Sequence, residues 1–206
     1  MPPDLVPLDE RDLPVRLTHQ DIARAHLYAA AMLTESKETI LRARGQSQAA
    51  KYQRDCFYSH LAETAVSRAL QDLGCSLPTG HVQGKQDWEP DHHFFAGGSK
   101  YFLHTKSQPP GSAERFGTAW IIGYGETGQD KRLYDFRPED YIALVSVPDE
   151  QLVYLRAIFP VTHLGDLALI TEKGISPRLL HSKRAIRLSQ IDNLGVPRFQ
   201  LPDREI

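Results

Sequence analysis

The sequence predicts an α/β or α+β domain built round a mixed β-sheet, and three observations carry that prediction. Residues 18–74 read as two helices. A Gly-Gly turn between two aromatic-rich runs reads as a β-hairpin. Two largely apolar, β-branched runs then follow, with a basic stretch after them. The chain has 206 residues, 41% hydrophobic and 24% charged, which suits one globular domain with a sizeable core. A net charge of −2 excludes a chain that coats nucleic acid by bulk charge. It leaves room for a local basic patch beside an acidic centre.

Residues 1–17 read as a flexible arm, because Pro2, Pro3, Pro7 and Pro14 work against regular structure. The same stretch is acidic and has no apolar core of the kind a signal peptide needs. No run has the apolar length of a membrane span. Cys56 and Cys75 are too few for a disulfide framework. The expectation is a cytoplasmic protein with no membrane partner.

Residues 18–206 read as a single domain in three parts. The helical part is 18–74. Thr18 and Asp21 stand at N-cap spacing, and a helix then runs to Arg44, with Ile22, Ala25, Ala29, Met32 and Leu33 on its apolar face and Gly45 as its stop. Ser47 opens a second helix to Leu73, with Gly74 at the C′ position; Phe57, Leu61, Thr64, Ala65 and Ala69 share one side. Together they make an N-terminal helical hairpin. The sheet core is 75–160. Its clearest feature is DHHFF-AGGS-KYFLHTKS, where Gly97 and Gly98 can take positive φ and close an antiparallel hairpin. In the Gly-rich residues 108–138, Ala119–Ile122 reads as a short strand or a buried loop. YIALVSV (141–147) has the continuous apolar run of a central strand, and QLVYLRAIF (151–159) is a further strand beyond Pro148-Asp149-Glu150. The C-terminal part, 161–206, reads as one or two short helices with basic residues.

Chemistry gathers on the hairpin. Side chains alternate along a strand, so Asp91, His93 and Phe95 share one face of the first strand, and Phe102, His104 and Lys106 share one face of the second. A register that matches these faces brings Asp91, His104 and Lys106 together. A carboxylate can hold a divalent cation that polarises a phosphate and acidifies a water. A lysine can orient that water or stabilise charge developing on phosphate. Mg²⁺ keeps several waters, so few protein carboxylates are needed. The plainer alternatives are an exposed Asp91–Lys106 cross-strand pair, a solvated Glu63 and a structural His104. Cys56, His60, Cys75 and His81 can be drawn as a zinc set, but their spacing fits no standard pattern.

At these residues the chain resembles the PD-(D/E)XK nuclease superfamily, whose signature is Pro-Asp at the start of one strand and (Asp/Glu)-X-Lys on the next. Pro90-Asp91 matches the first part, and His104-Thr105-Lys106 occupies the second. HLAETAVSRALQDLG looks like the helix that carries a further Glu in many members, with Glu63 as the candidate, and YIALVSV agrees with the strand that follows the motif. The resemblance covers residues 55–160. It implies a restriction-endonuclease-like mixed β-sheet flanked by helices. It also implies Mg²⁺ or Mn²⁺ held by Asp91, Glu63, His104 and the Thr105 carbonyl, with Lys106 activating water. The expected activity is a metal-dependent DNA endonuclease, type II restriction-like and homodimeric; a repair or recombination nuclease is equally compatible with the core.

The departure is His104, which stands where the family has its second carboxylate. Histidine suits Mn²⁺ better than Mg²⁺. Three explanations are open: a tolerated ligand variant, a carboxylate supplied by Glu63, or a degenerate site that only binds DNA or serves in assembly. DNA contacts are expected from Gln108, Arg115, Lys131, Arg132, Lys183, Arg184 and Arg187, with a solvated basic face as the alternative.

Overall fold

Thr18 and Asp21 start the first helix as their spacing predicts. The Thr18 N–H donates to Asp21 Oδ2 at 2.7 Å and the Asp21 N–H to Thr18 Oγ1 at 3.3 Å, a reciprocal cap. The computed structural model describes residues 5–35, 49–76, 93–123, 137–164, 183–202 and 204–205. Helix α1 spans His19–Glu35, and the predicted continuation to Arg44 lies outside the described residues. Helix α2 spans Ala49–Asp72. It ends where Gly74 takes φ 80, with the Cys75 N–H donating to Leu70 O and the Gly74 N–H to Gln71 O. The helices pack through stacked rings, His26 on Phe57 at 4.3 Å and Tyr28 on His60 at 4.6 Å, and through an Arg68–Asp21 ion pair at 2.6 Å.

The strands are β1 (Leu13–Arg16), β2 (His93–Ala96), β3 (Ser99–Gln108), β4 (Ala119–Gly123), β5 (Tyr141–Ser146), β6 (Leu152–Pro160) and β7 (Lys183–Arg187), with short β8 (Gln200–Leu201) and β9 (Arg204–Glu205). Short helices α3 (Ser112–Phe116) and α4 (Leu188–Asn193) precede β4 and follow β7. The main sheet is mixed, in the order β1-β6-β5-β3-β2, with β3 parallel to β5 and every other pair antiparallel. The apolar run 141–147 thus forms the middle strand. β4 pairs with β7 in a separate antiparallel ribbon, so Ala119–Ile122 is a strand rather than a loop.

Two cores lie on the two faces. Under α1 and α2 sit Leu103, Tyr141, Ala143, Val145, Val153 and Leu155. On the opposite face Ile142, Leu144, Ala157 and Phe159 pack against Trp120 and Ile122 of the ribbon and against Ile186, Leu188 and Ile191. Strand alternation alone would keep Leu155 and Ala157 on one face. They sit on opposite faces because the β5–β6 register jumps from Leu144↔Ala157 to Val145↔Leu155, a β-bulge that leaves Arg156 as the extra residue. Beside the bulge, the Trp120 indole donates to Val145 O at 2.9 Å and ties the ribbon to the sheet.

Two expectations need correction. Residues 5–17 are not an arm. β1 is the edge strand beside β6, where Pro14 is tolerated, and the Val6 N–H donates to Thr118 Oγ1 at 3.0 Å. Asp12 is buried, with Oδ1 2.7 Å from Arg156 Nε and 3.1 Å from Arg198 Nη1. Residues 183–187 are a strand, not a helix. Their partner β4 is distant in sequence, so tertiary pairing decides. Among the described residues no helix is long and apolar enough to cross a membrane.

Candidate active site

Gly97 and Gly98 both take positive φ, 56 and 81, as a two-residue hairpin turn requires. The turn sets His93 opposite Phe102 and Phe95 opposite Lys100. Directly paired residues share a face, so His93, Phe95, Lys100 and Phe102 lie together, and His104 and Lys106 continue the series along β3. On the other edge of β3, His104 pairs with Ile142 and Lys106 with Leu144. Both therefore project on the face opposite α1 and α2, on the β2–β3 side of the sheet.

His104 is held by Asp140, the residue just before β5. Its Nε2 lies 2.8 Å from Asp140 Oδ2, which also accepts the Arg137 N–H at 3.2 Å. Burial lowers the pKa of His104 and the Lys106 charge adds to that, against an opposing pull from Asp140. The ring is then neutral at neutral pH. A carboxylate only accepts, so Nε2 carries the proton and Nδ1 the lone pair. Asp140 is 3% exposed, and its Oδ1 is buried with no hydrogen-bond partner among the described residues. Sequence reasoning missed Asp140. Its one signal was an acidic residue at the mouth of the central strand, and only the parallel β3–β5 pairing shows that it meets His104.

The other predicted residues are distributed as follows. Glu63 sits on α2, behind the sheet from His104 and Lys106, with Oε2 3.9 Å from His60 Nδ1. The Thr105 side chain points to the helix-covered face, its Oγ1 buried without a hydrogen-bond partner among the described residues. Gln108 does not face solvent as a DNA contact would. It is buried, and its Nε2 donates to Gly117 O at 2.8 Å and Ala119 O at 3.0 Å, fastening the end of β3 to the start of β4. Arg187 is buried too, and its N–H donates to Gln190 Oε1 at the start of α4. Arg115 is exposed on α3. Asp91, Lys131 and Arg132 lie outside the described residues, as do the side chains of Lys183 and Arg184. Of the drawn zinc set, Cys56 is buried, Cys75 is partly exposed and His81 lies outside the described residues. Among the described residues no group of three or more His, Cys, Asp or Glu is placed to hold a metal ion.

A histidine that gives one ring N–H to a buried carboxylate and keeps a lone pair on the other nitrogen is the arrangement found behind many metal-ligating imidazoles. A cation at Nδ1 would sit on the ring edge away from Asp140, so Asp140 positions the imidazole and does not complete a donor set; a nitrogen ligand by itself suits Mn²⁺ or a similar transition metal better than Mg²⁺. Compared with protein-family models, curated proteins and solved structures, the chain matches none.

Proposed function

We propose that this chain is a metal-dependent nuclease that hydrolyses phosphodiester bonds in DNA. The observation that carries the reading is the His104 imidazole, fixed by buried Asp140, with Lys106 two residues further along the same face. His104 Nδ1 and the carboxylate of Asp91 would hold the cation, and Asp140 fixes the ring. A bound divalent cation supplies polarisation of the phosphate and a more acidic water. Lys106 steadies negative charge on the phosphate or orients the water. A carboxylate-to-histidine exchange at position 104 moves the preference toward Mn²⁺. The restriction-endonuclease-like fold draws support from a helical hairpin followed by a β-hairpin and a parallel neighbour strand; type II-like homodimeric cutting rests on the family resemblance alone. This reading gives Glu63 no ligand role, since it sits on α2, which packs against the other face of the sheet.

The test is cleavage of supercoiled and linear DNA with Mg²⁺, Mn²⁺ or EDTA, by the wild type and by Asp91→Ala, His104→Ala and Lys106→Ala. Cutting should be stronger with Mn²⁺, absent with EDTA and reduced roughly 10²–10⁴-fold in Lys106→Ala. A wild type that cuts neither DNA nor RNA and binds no Mn²⁺ in calorimetry would overturn the reading. The missing family carboxylate at His104 favours a second reading, a DNA-binding module without hydrolysis, which the same assay separates.

A further inference from the structure

We propose that the outer face of the β2–β3 hairpin is a binding strip for single-stranded DNA, leading a strand toward His104 and Lys106. Phe95 is 37% exposed on the edge strand β2. The His93 ring meets it edge-on at 5.4 Å. Directly across the pair stands exposed Lys100, whose Nζ lies 4.8 Å from the Phe102 ring centroid, and Arg137 Cζ lies 4.8 Å from the same centroid. These groups share their face of the sheet with His104 and Lys106.

One exposed aromatic is ordinary on a protein surface. An aromatic and cationic series aligned with the candidate centre is less so. Alternate residues on a strand are about 6.6 Å apart, so Lys100 to Lys106 spans about 20 Å, room for several nucleotides. The chain as a whole is slightly acidic, at −2, so attraction for phosphate must be local. Asp140, beside the strip, is buried and its Oδ2 is engaged by His104 and the Arg137 N–H. Duplex DNA offers phosphates and base edges, whereas an open aromatic face takes an unstacked base. Phe95 supplies that face, and Lys100 and Arg137 neutralise the backbone. Delivery to a cleaved bond rests on the nuclease reading, but binding does not.

The experiment is fluorescence anisotropy in EDTA with a labelled oligo-dT and a duplex of equal length, so cleavage plays no part. The wild type should bind the single strand more tightly than the duplex. Phe95→Ala should weaken single-strand binding about tenfold, while Phe95→Trp retains it. Lys100→Glu with Arg137→Glu, both at exposed positions, should weaken binding and flatten its salt dependence. Leu27→Ala, at a 71% exposed site on α1, should change nothing. Equal affinity for duplex and single strand, or wild-type binding by both Phe95→Ala and the charge-reversed variant, would sink the strip even if Lys106-dependent cleavage were found. Strip-dependent binding without cleavage by any variant would keep the strip and remove the nuclease.

Discussion

Neighbouring residues on β3 enter two different environments. Leu103 is buried in an apolar core under α1 and α2, while His104, one position on, turns to the opposite face and meets Asp140. The ribbon of β4 and β7 covers the β5–β6 half of that second face with Trp120, Ile122 and Ile186. The β2–β3 half instead carries Phe102, His104 and Lys106. Burying polar groups costs stability unless they are paired, so a histidine and a lysine on a sheet face otherwise packed with apolar residues are the groups to test for chemistry. The helix-covered face holds the molecule together, and the β2–β3 half of the other face carries the candidate centre.

The largest expected effect distinguishes structural burial of charge from the candidate centre. Asp12 is fully enclosed and meets both Arg156 and Arg198. Burial raises its pKa in spite of the two arginines. Asp12→Ala takes from buried Arg156 the carboxylate it meets, while Arg198 keeps Asp192 at 2.6 Å, and should lose about 3–5 kcal/mol in urea unfolding. Asp140→Asn should lose far less stability and show its effect in Mn²⁺ binding. Equal destabilisation by the two would make Asp140 another structural carboxylate.

Next comes the contrast along β3 itself. Leu103→Ala should cost about 2–5 kcal/mol of stability through the cavity it leaves. Lys106→Ala should change the unfolding free energy by less than about 1 kcal/mol while removing most cleavage. If Lys106→Ala unfolds as readily as Leu103→Ala, the division of labour between the faces is wrong.

A smaller effect belongs to the helical side. Burial opposes the charge of Asp21, but hydrogen bonds from Thr18 and the Arg68 charge outweigh it, so its pKa lies below the usual 3.8. A depressed carboxylate contributes stability that is fully present above the unfolded pKa and lost as pH falls through the folded one. Asp21→Asn should therefore trail the wild type by about 1 kcal/mol at neutral pH, and the gap should close as pH drops below about 4. A gap unchanged at low pH would mean that the cap acts without its charge.

Local chemistry made much of this legible. The Thr18–Asp21 cap, the Gly74 stop and the Gly97-Gly98 turn each need a residue type at a fixed offset, and the apolar run 141–147 has the pattern of the central strand it forms. What failed was long-range. Pro14 speaks locally for broken structure, because nothing near it in sequence reveals an edge strand paired to β6. Arg187 and Gln108 look like surface contacts in the sequence because their burial depends on the ribbon. Asp140 reaches His104 only through a parallel pairing, which leaves no mark in either segment.

The smallest expected effect tests Glu63, which the sequence motif favoured and the fold separates from the site. Its carboxylate lies 3.9 Å from His60 Nδ1, on a helix packed against the face opposite His104 and Lys106. Glu63→Gln keeps the shape of the side chain and removes its charge. A partly exposed pair of this kind contributes about 0–1 kcal/mol, so unfolding should barely change, and cleavage and Mn²⁺ affinity should stay within about threefold of wild type. A metal ligand behaves otherwise, because removing a carboxylate from a cation site cuts affinity by about tenfold or more. Weaker Mn²⁺ binding in Glu63→Gln at unchanged stability would mean that the centre draws on both sides of the sheet, and the two faces would then no longer divide packing from chemistry.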